Sequence, residues 1–299
     1  MTTWATANGV GMLAAAQAHG DYAVDTATWP IDIYDAIYDA EVVTMWRQLP
    51  RQFGAYVTDP GSRPGILINN GLPHAAQRQT AGHELGHHWW KHGTREDGDL
   101  DPPGDRRPPW PPEEKLAESF AGWFLMPRKA AMAAMDRLEM RELRSPADAY
   151  LLSLLLGTPY RATVRHLPNI RLASQARAAD WIKIQPNVIK NRLDQAADAA
   201  VSRKPDVWVL SPRFDGAQFA VHPGDRIVIN GSRGRCPSVT CPDALRAVPV
   251  KSTSHATEIQ AGEDSGNWGH VQVTGVCGHW EFAVRVEGQR SGIEPRWVG

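Results

Sequence analysis

Thr80-Ala81-Gly82-His83-Glu84-Leu85-Gly86-His87-His88-Trp89-Trp90 contains the pattern His-Glu-x-x-His. On a helix, residues four apart lie on one face, one turn above the other. His83 and His87 can therefore both point at one ion. Glu84 stands about 100° further round the helix, where it serves as general base without crowding the ligands. Two imidazoles on metal beside a carboxylate form the arrangement of a zinc metalloprotease. The same five residues also arise by chance on surface helices, so their surroundings carry the argument.

Upstream, β-branched and aromatic runs at residues 42–46, 53–58 and 65–69 read as strands, and Asp59-Pro60-Gly61-Ser62 as a turn between the last two. A small antiparallel sheet is thus expected before the metal helix. Residues 32–40 read as a scaffold helix. Residues 1–20 are Ala-rich and helical in tendency, weakened by Gly9 and Gly11. Leu85 and Trp89 give the metal helix an apolar face for the sheet, which leaves His83 and His87 toward a cleft. His88 and His92 are also four apart, but no carboxylate follows His88. Polar surface and complement to the helix dipole account for them.

Residues 94–112 are rich in charge and proline and cannot build a core. They read either as a flap over the cleft or as a solvated linker. The next helix covers residues 113–125, with an apolar stripe through Leu116, Phe120 and Phe124. Glu113 and Glu114 sit at its N-terminus, where dipole and solvent explain them. Glu118 lies inside the apolar run, and a carboxylate there needs a partner. Zn2+ is such a partner, so Glu118 is the expected third ligand.

These residues together resemble a known family. Gln79-Thr80-Ala81-Gly82-His83-Glu84-Leu85-Gly86-His87, followed by Ala117-Glu118-Ser119-Phe120-Ala121-Gly122-Trp123-Phe124-Leu125-Met126-Pro127, is similar to the paired motifs of the ImmA/IrrE metallopeptidases. The likeness spans about residues 25–170. It implies zinc on His83, His87 and Glu118, with Glu84 as base. It also implies a protein substrate, a helix-turn-helix repressor cleaved to derepress mobile-element, phage or stress genes. Gly82 stands where many members have Ala, and the proline-rich loop looks longer than usual.

After the site, Ser145-Pro146-Ala147-Asp148 reads as a helix start, with Ser as cap and Pro in the first turn. A second helix follows Gly157-Thr158-Pro159. The pair resembles the helix-turn-helix-like segment that follows the peptidase core in the family. From Arg141 to Lys204 there are 11 Lys and Arg against 5 Asp and Glu. Charge bias without a base-reading set is a weak signal for DNA, and core completion is the stronger reading.

From Pro205 the composition shifts to short strand-like runs separated by Gly, Pro and Asp. An all-β domain, a small sandwich or barrel, is expected there. Pro223-Gly224-Asp225-Arg226-Ile227-Val228-Ile229 faintly resembles chagasin-type inhibitor sandwiches. Cys236, Cys241, Cys277 and His279 could hold a second, structural zinc, although one residue between Cys277 and His279 is tight. Separately packed, reduced cysteines are the stronger reading.

The fold expected is α+β. A zincin-like core occupies residues 1–135, a helical segment and connector 136–204, and a β domain 205–299. At 299 residues with 42% hydrophobic content there is enough for real cores, and a net charge of −1 gives no global nucleic-acid or membrane signal. Three cysteines argue against a disulfide scaffold, and the N-terminus lacks the features of a signal peptide. A soluble, cytoplasmic zinc endopeptidase is the reading. Tyr150, Tyr160 and His166 are candidates to steady a developing oxyanion, and a sheet edge would take the substrate by strand addition. The rival is a metal-binding regulator that acts on a partner or DNA without cutting.

Overall fold

Thr3 starts the first helix: its hydroxyl accepts the Thr6 N–H at 3.1 Å, and α1 runs over Trp4–Asp21. The two glycines do not interrupt it. Gly11 is where α1 meets a later helix, since a Cβ there would lie 2.7 Å from Ser119 Cβ. Asp32 caps α2 (Ile33–Asp39), accepting from the N–H groups of Tyr34 and Asp35. Then come β1 (Val43–Arg47), β2 (Gly54–Val57), β3 (Gly65–Asn69), α3 (His74–Trp89), β4 (Arg95–Glu96), α4 (Pro112–Leu125), α5 (Arg128–Arg137), α6 (Pro146–Leu156) and α7 (Tyr160–His166). The computed structural model describes residues 3–96, 110–194, 205–230, 236–249, 256–262, 267–275 and 278–298. Most of the charged, proline-rich loop and Cys277 lie outside them.

The chain forms two compact units. The first comprises Met1–Ala134, Ser153–Ser174 and Arg290–Gly299. Its sheet has the order β13-β1-β3-β2-β4, where β13 is Gly292–Ile293. The sheet is mixed, where the sequence suggested an antiparallel one. β2 and β3 form the expected antiparallel hairpin, but β1 pairs parallel to β3, from Val43 opposite Gly65 to Arg47 opposite Asn69. The turn at Asp59–Ser62 fixes only the hairpin. Because β2 lies on the far side of β3, β1 and β3 run the same way. Helix α3 packs on β2 and β3, while α4 packs on α1 and α3. Leu85, Phe120 and Phe124 are fully buried, each stabilising by roughly 2 kcal/mol.

The last residues bind back onto this unit. β13 pairs antiparallel with β1. The Arg290 guanidinium lies 4.4 Å over the Tyr34 ring and 5.3 Å over Trp46, and its carbonyl accepts from Asn70 Nδ2 at 2.9 Å. Arg296 pairs with Asp35 at 2.7 Å, and Trp297 packs on Tyr38.

The second unit comprises Met135–Leu152 and Gln175–Gln289. Ser145 and Asp148 form the expected capping box at the start of α6: the Asp148 N–H donates to Ser145 Oγ at 3.2 Å and the Ser145 N–H to Asp148 Oδ2 at 3.0 Å. Helices α8 (Gln175–Trp181) and α9 (Pro186–Leu193) follow. The strands are β5 (Val207–Leu210), β6 (Gln218–Val221), β7 (Arg226–Asn230), β8 (Ser238–Thr240), β9 (Leu245–Pro249), β10 (Ala256–Ala261), β11 (Gly269–Gly275) and β12 (Gly278–Val286). They make two four-stranded mixed sheets, β5-β7-β10-β9 and β6-β12-β11-β8, and neither closes into a barrel among the described residues. Trp208 of β5 stacks on Phe219 of β6 at 5.2 Å, and Phe219 on Phe282 of β12 at 5.7 Å, which joins the two sheets.

A buried polar network ties the helices of this unit to its strands. Tyr150 donates to Asp206 Oδ1 at 2.8 Å, and Lys190 Nζ lies 2.8 Å from the same oxygen. Asp225 accepts from the N–H groups of Asp206, His222 and the Trp208 indole. Burial and the neighbouring Asp206 push its carboxyl up to about 6. No described helix is long and apolar enough to cross a membrane.

Candidate metal centre

Helix α3 presents His83 and His87 on one face, as the spacing predicts. Their Nε2 atoms lie 3.0 Å apart. The third member of the cluster comes from the first turn of α4. Glu114 Oε2 is 3.1 Å from His83 Nε2 and 3.4 Å from His87 Nε2. Both histidines are buried, and Glu114 keeps partial access to solvent. Burial would raise the Glu114 carboxyl, but hydrogen bonds and charge from the two imidazoles outweigh it. They hold the carboxyl well below the usual carboxylate range.

The helices meet closely enough to allow this because α3 has no side chain at the crossing. A Cβ on Gly86 would stand 3.0 Å from Ala117 Cα and 3.2 Å from its carbonyl oxygen. Ala117 follows Glu114 by three residues, so the crossing fixes where the Glu114 carboxylate arrives.

Glu118, expected as the third ligand, is one turn further along α4. Its Oε2 lies 3.5 Å from His83 Nδ1, the ring nitrogen that faces away from the cluster. Gln79 Nε2 also donates to it, at 3.4 Å. His87 has a similar neighbour behind it, with its Nδ1 2.8 Å from Nδ1 of His92. Each imidazole thus turns Nε2 into the cluster and Nδ1 toward a second polar group. Histidines that bind metals characteristically donate their other ring N–H in this way. His92, which the sequence suggested was only surface and dipole complement, is one of these groups. The signal for it lay in the chain: it sits five residues after His87, just past the helix end, where the chain folds back, with the His92 N–H donating to the His87 carbonyl at 3.0 Å.

Glu84 is fully buried. Strand β2 comes against it at Gly54, where a Cβ would stand 3.3 Å from Glu84 Oε1 and 2.6 Å from the Leu67 carbonyl. The general-base candidate is therefore walled by the sheet on the side away from α4.

Tyr150, Tyr160 and His166 are the candidates for oxyanion support. Tyr150 belongs to the buried network around Asp206 in the second unit. Burial pushes the Tyr160 phenol up to about 12. His166 on α7 packs against α4, with its Nδ1 3.1 Å from where a Cβ on Gly122 would be. Burial, against the pull of the Met126 carbonyl and Glu118, pushes His166 down to about 4, so it is neutral near pH 7. His166 is not a member of the His83–His87–Glu114 cluster.

Among the candidates for a second zinc site, Cys241 donates its thiol to the Leu245 carbonyl at 3.2 Å, and Cys236 is exposed. His279 Nδ1 lies 3.0 Å from Thr274 Oγ1, and Cys277 is outside the described residues.

The donor set can be tested against a metal. Zinc bonds of about 2.05 Å at tetrahedral angles put ligand atoms about 3.3 Å apart. The three separations here are 3.0, 3.1 and 3.4 Å. Two imidazole nitrogens and one carboxylate oxygen could bind a metal without rearrangement of the backbone. They leave a tetrahedral position for another group.

No curated protein matches the chain. Among solved structures, the cysteine protease inhibitor EhICP2 from Entamoeba histolytica aligns with 29% of this chain and 100% of its own, at 14% identity and a TM-score of 0.21. A likeness that weak carries no argument. The sequence model of the IrrE N-terminal-like domain, a peptidase family, matches residues 40–145. That span holds His83, Glu84, His87, His92, Glu114 and Glu118. Through residues 40–145 this chain is similar to the peptidase family of the IrrE N-terminal-like domain.

Proposed function

We propose that the protein is a zinc endopeptidase with a zincin-like core, acting in the cytoplasm on a helix-turn-helix repressor. The observation that carries this reading is the His83–His87–Glu114 cluster, spaced for one tetrahedral ion, with Glu84 buried beside it. Two imidazoles and a single carboxylate favour zinc over magnesium or calcium, which take mainly oxygen. Glu114 completes the donor set. Glu118 and His92 hold His83 and His87 in the ring orientation that keeps Nε2 forward.

When bound by His83, His87 and Glu114, the ion would supply Lewis acidity and would lower the pKa of a nearby water. The chain's own part is proton transfer and positioning. The Glu84 carboxylate accepts a proton as the peptide carbon is attacked and delivers it to the leaving amine nitrogen. Its buried seat against β2 limits the orientations it can take, which is the positional half of base catalysis. The repressor as substrate rests on the motif resemblance.

The test is to mix the protein and Zn2+ with the helix-turn-helix repressor encoded beside its gene and look for a discrete cut. Wild type cuts and Glu84→Gln does not, if the reading holds. If neither cuts while both bind the repressor tightly, the chain is a non-proteolytic regulator. Zinc analysis of the same samples should give one ion per chain. Two per chain would support a further site on Cys236, Cys241, Cys277 and His279.

A further inference from the structure

Two tryptophans stand exposed at the rim of the metal cluster. The Trp110 ring lies edge-on to His83, with centroids 6.5 Å apart and planes at 76°. Trp4 is 5.6 Å from Trp110 at 54°. Their exposures are 38% and 48%. The chain has 12 tryptophans, and only one other, Trp268, is as open. Two of the three most exposed indoles thus adjoin each other and a metal-ligand candidate. Contiguous exposed apolar surface of this kind marks a contact site.

Trp4 lies on a helix, and Trp110 lies two residues before one. Trp110 precedes Pro111, the N-cap of α4, and Pro112, its first residue, and Glu114 follows two residues later. Prolines lock φ and restrict the residue before them, so Trp110 is held in a set relation to Glu114. Trp4 opens α1, whose first turn is capped by Thr3. Helix α1 is pinned to α4 by the close approach at Gly11 and by the Trp123 indole N–H, which donates to Asn8 Oδ1 at 2.9 Å.

We propose that Trp4 and Trp110 wall a substrate subsite that takes a large apolar side chain, aromatic or long aliphatic, beside the peptide group presented to the cluster. This rests on the peptidase reading and extends it to specificity. Successive Cα atoms are about 3.8 Å apart. A wall 6.5 Å from His83 is therefore within reach of a residue flanking the scissile bond, and out of register for one several residues away. Aromatic rings pair edge-to-face or offset with an incoming ring. Cationic side chains also stack on indoles. Here the Lys115 ammonium already lies 6.0 Å from the Trp4 ring and selects against a second positive charge.

The experiment uses the full zinc-loaded chain and three peptidyl hydroxamates, identical except for phenylalanine, alanine or arginine beside the hydroxamate. Calorimetry reads Kd for each. The phenylalanine compound should bind at least about tenfold tighter than the alanine one, and the arginine compound no better than alanine. In Trp110→Ala and Trp4→Ala the phenylalanine advantage should fall to within about threefold, while the alanine compound and zinc content stay as in wild type. Trp110→Leu should retain part of it, which guards against a folding defect in the alanine variant. Equal Kd values for phenylalanine and alanine in wild type would overturn the proposal, as would an advantage that survives both tryptophan substitutions. Hydroxamate selectivity does not depend on turnover. A protein that cuts its repressor but shows no selectivity loses only the subsite, and one that is selective but cuts nothing loses only the peptidase reading.

Discussion

Glu114→Ala and Glu118→Ala remove carboxylates one turn apart on the same helix, yet the geometry assigns them different losses. Glu114 Oε2 stands 3.1 and 3.4 Å from the two Nε2 atoms, close to the 3.3 Å or so expected between ligands of one tetrahedral zinc. Of the two histidines, Glu118 Oε2 reaches only His83, at Nδ1, and at 3.5 Å. Structural zinc sites bind with about 10–16 kcal/mol over four ligands, or about 2.5–4 kcal/mol for each. Loss of Glu114 should then weaken zinc binding by about 60- to 700-fold, at about 1.4 kcal/mol per decade. Loss of an outer partner weakens it by about 10- to 100-fold. The assay is competition with a chromophoric chelator at fixed pH, repeated with Glu114→Gln and Glu118→Gln to keep the side-chain volume. If Glu118→Ala empties the site at a free zinc level where Glu114→Ala stays loaded, Glu118 is the ligand and the cluster has been misassigned.

Three further outcomes are expected. His92→Ala should weaken zinc binding by about 10- to 100-fold with little change in thermal stability, and an unchanged Kd in the same competition assay would remove His92 from the site. His166 is held neutral by burial, titrating at about 4 in the folded chain against 6.5 for a free side chain. Its stabilising contribution is therefore whole above pH 6.5 and is lost as pH falls toward 4, to a limit of about 3 kcal/mol at 1.36 kcal/mol per pH unit. Urea unfolding at pH 7 and pH 4.5 should show a steeper loss in wild type than in His166→Gln, and parallel losses would contradict the assignment. Truncation after Gln289 removes the β13 pairing, the Arg290 stack on Tyr34 and Trp46, and the Arg296–Asp35 pair. It should lower the stability of the first unit by about 2 kcal/mol, read by thermal denaturation, and an unaltered melt would show the tail to be passive.

The sequence made some of this legible for a definite reason. His83 and His87 could be paired from spacing alone, because the 3.6-residue period is a property of one helix and needs no partner. The cap at Ser145 and the hairpin turn at Asp59–Ser62 are local in the same sense. The parallel pairing of β1 with β3 is not local, and nothing in residues 42–46 announces which neighbour they take. β13 is two residues long and gains its place from Arg290 and Arg296, whose partners lie more than 200 positions earlier. A run that short has no periodicity to detect.

The choice between Glu114 and Glu118 shows the same boundary inside the site. Burial in an apolar run favoured Glu118, on the ground that an enclosed carboxylate needs a partner. It has partners, His83 Nδ1 and Gln79, but it is half-buried and its oxygen faces the Nδ1 side of His83. Glu114 looked accounted for by the helix dipole and solvent, and a first-turn position does suit a negative charge. What decides between them is where α4 crosses α3. The contact of Gly86 with Ala117 sets that point, and it brings the carboxylate on the N-terminal side of Ala117 to the Nε2 atoms while leaving the next one behind His83. A helix pattern names which residues share a face. The crossing names which of them meets the two Nε2 atoms, and at this crossing the selecting feature is the missing side chain of a glycine.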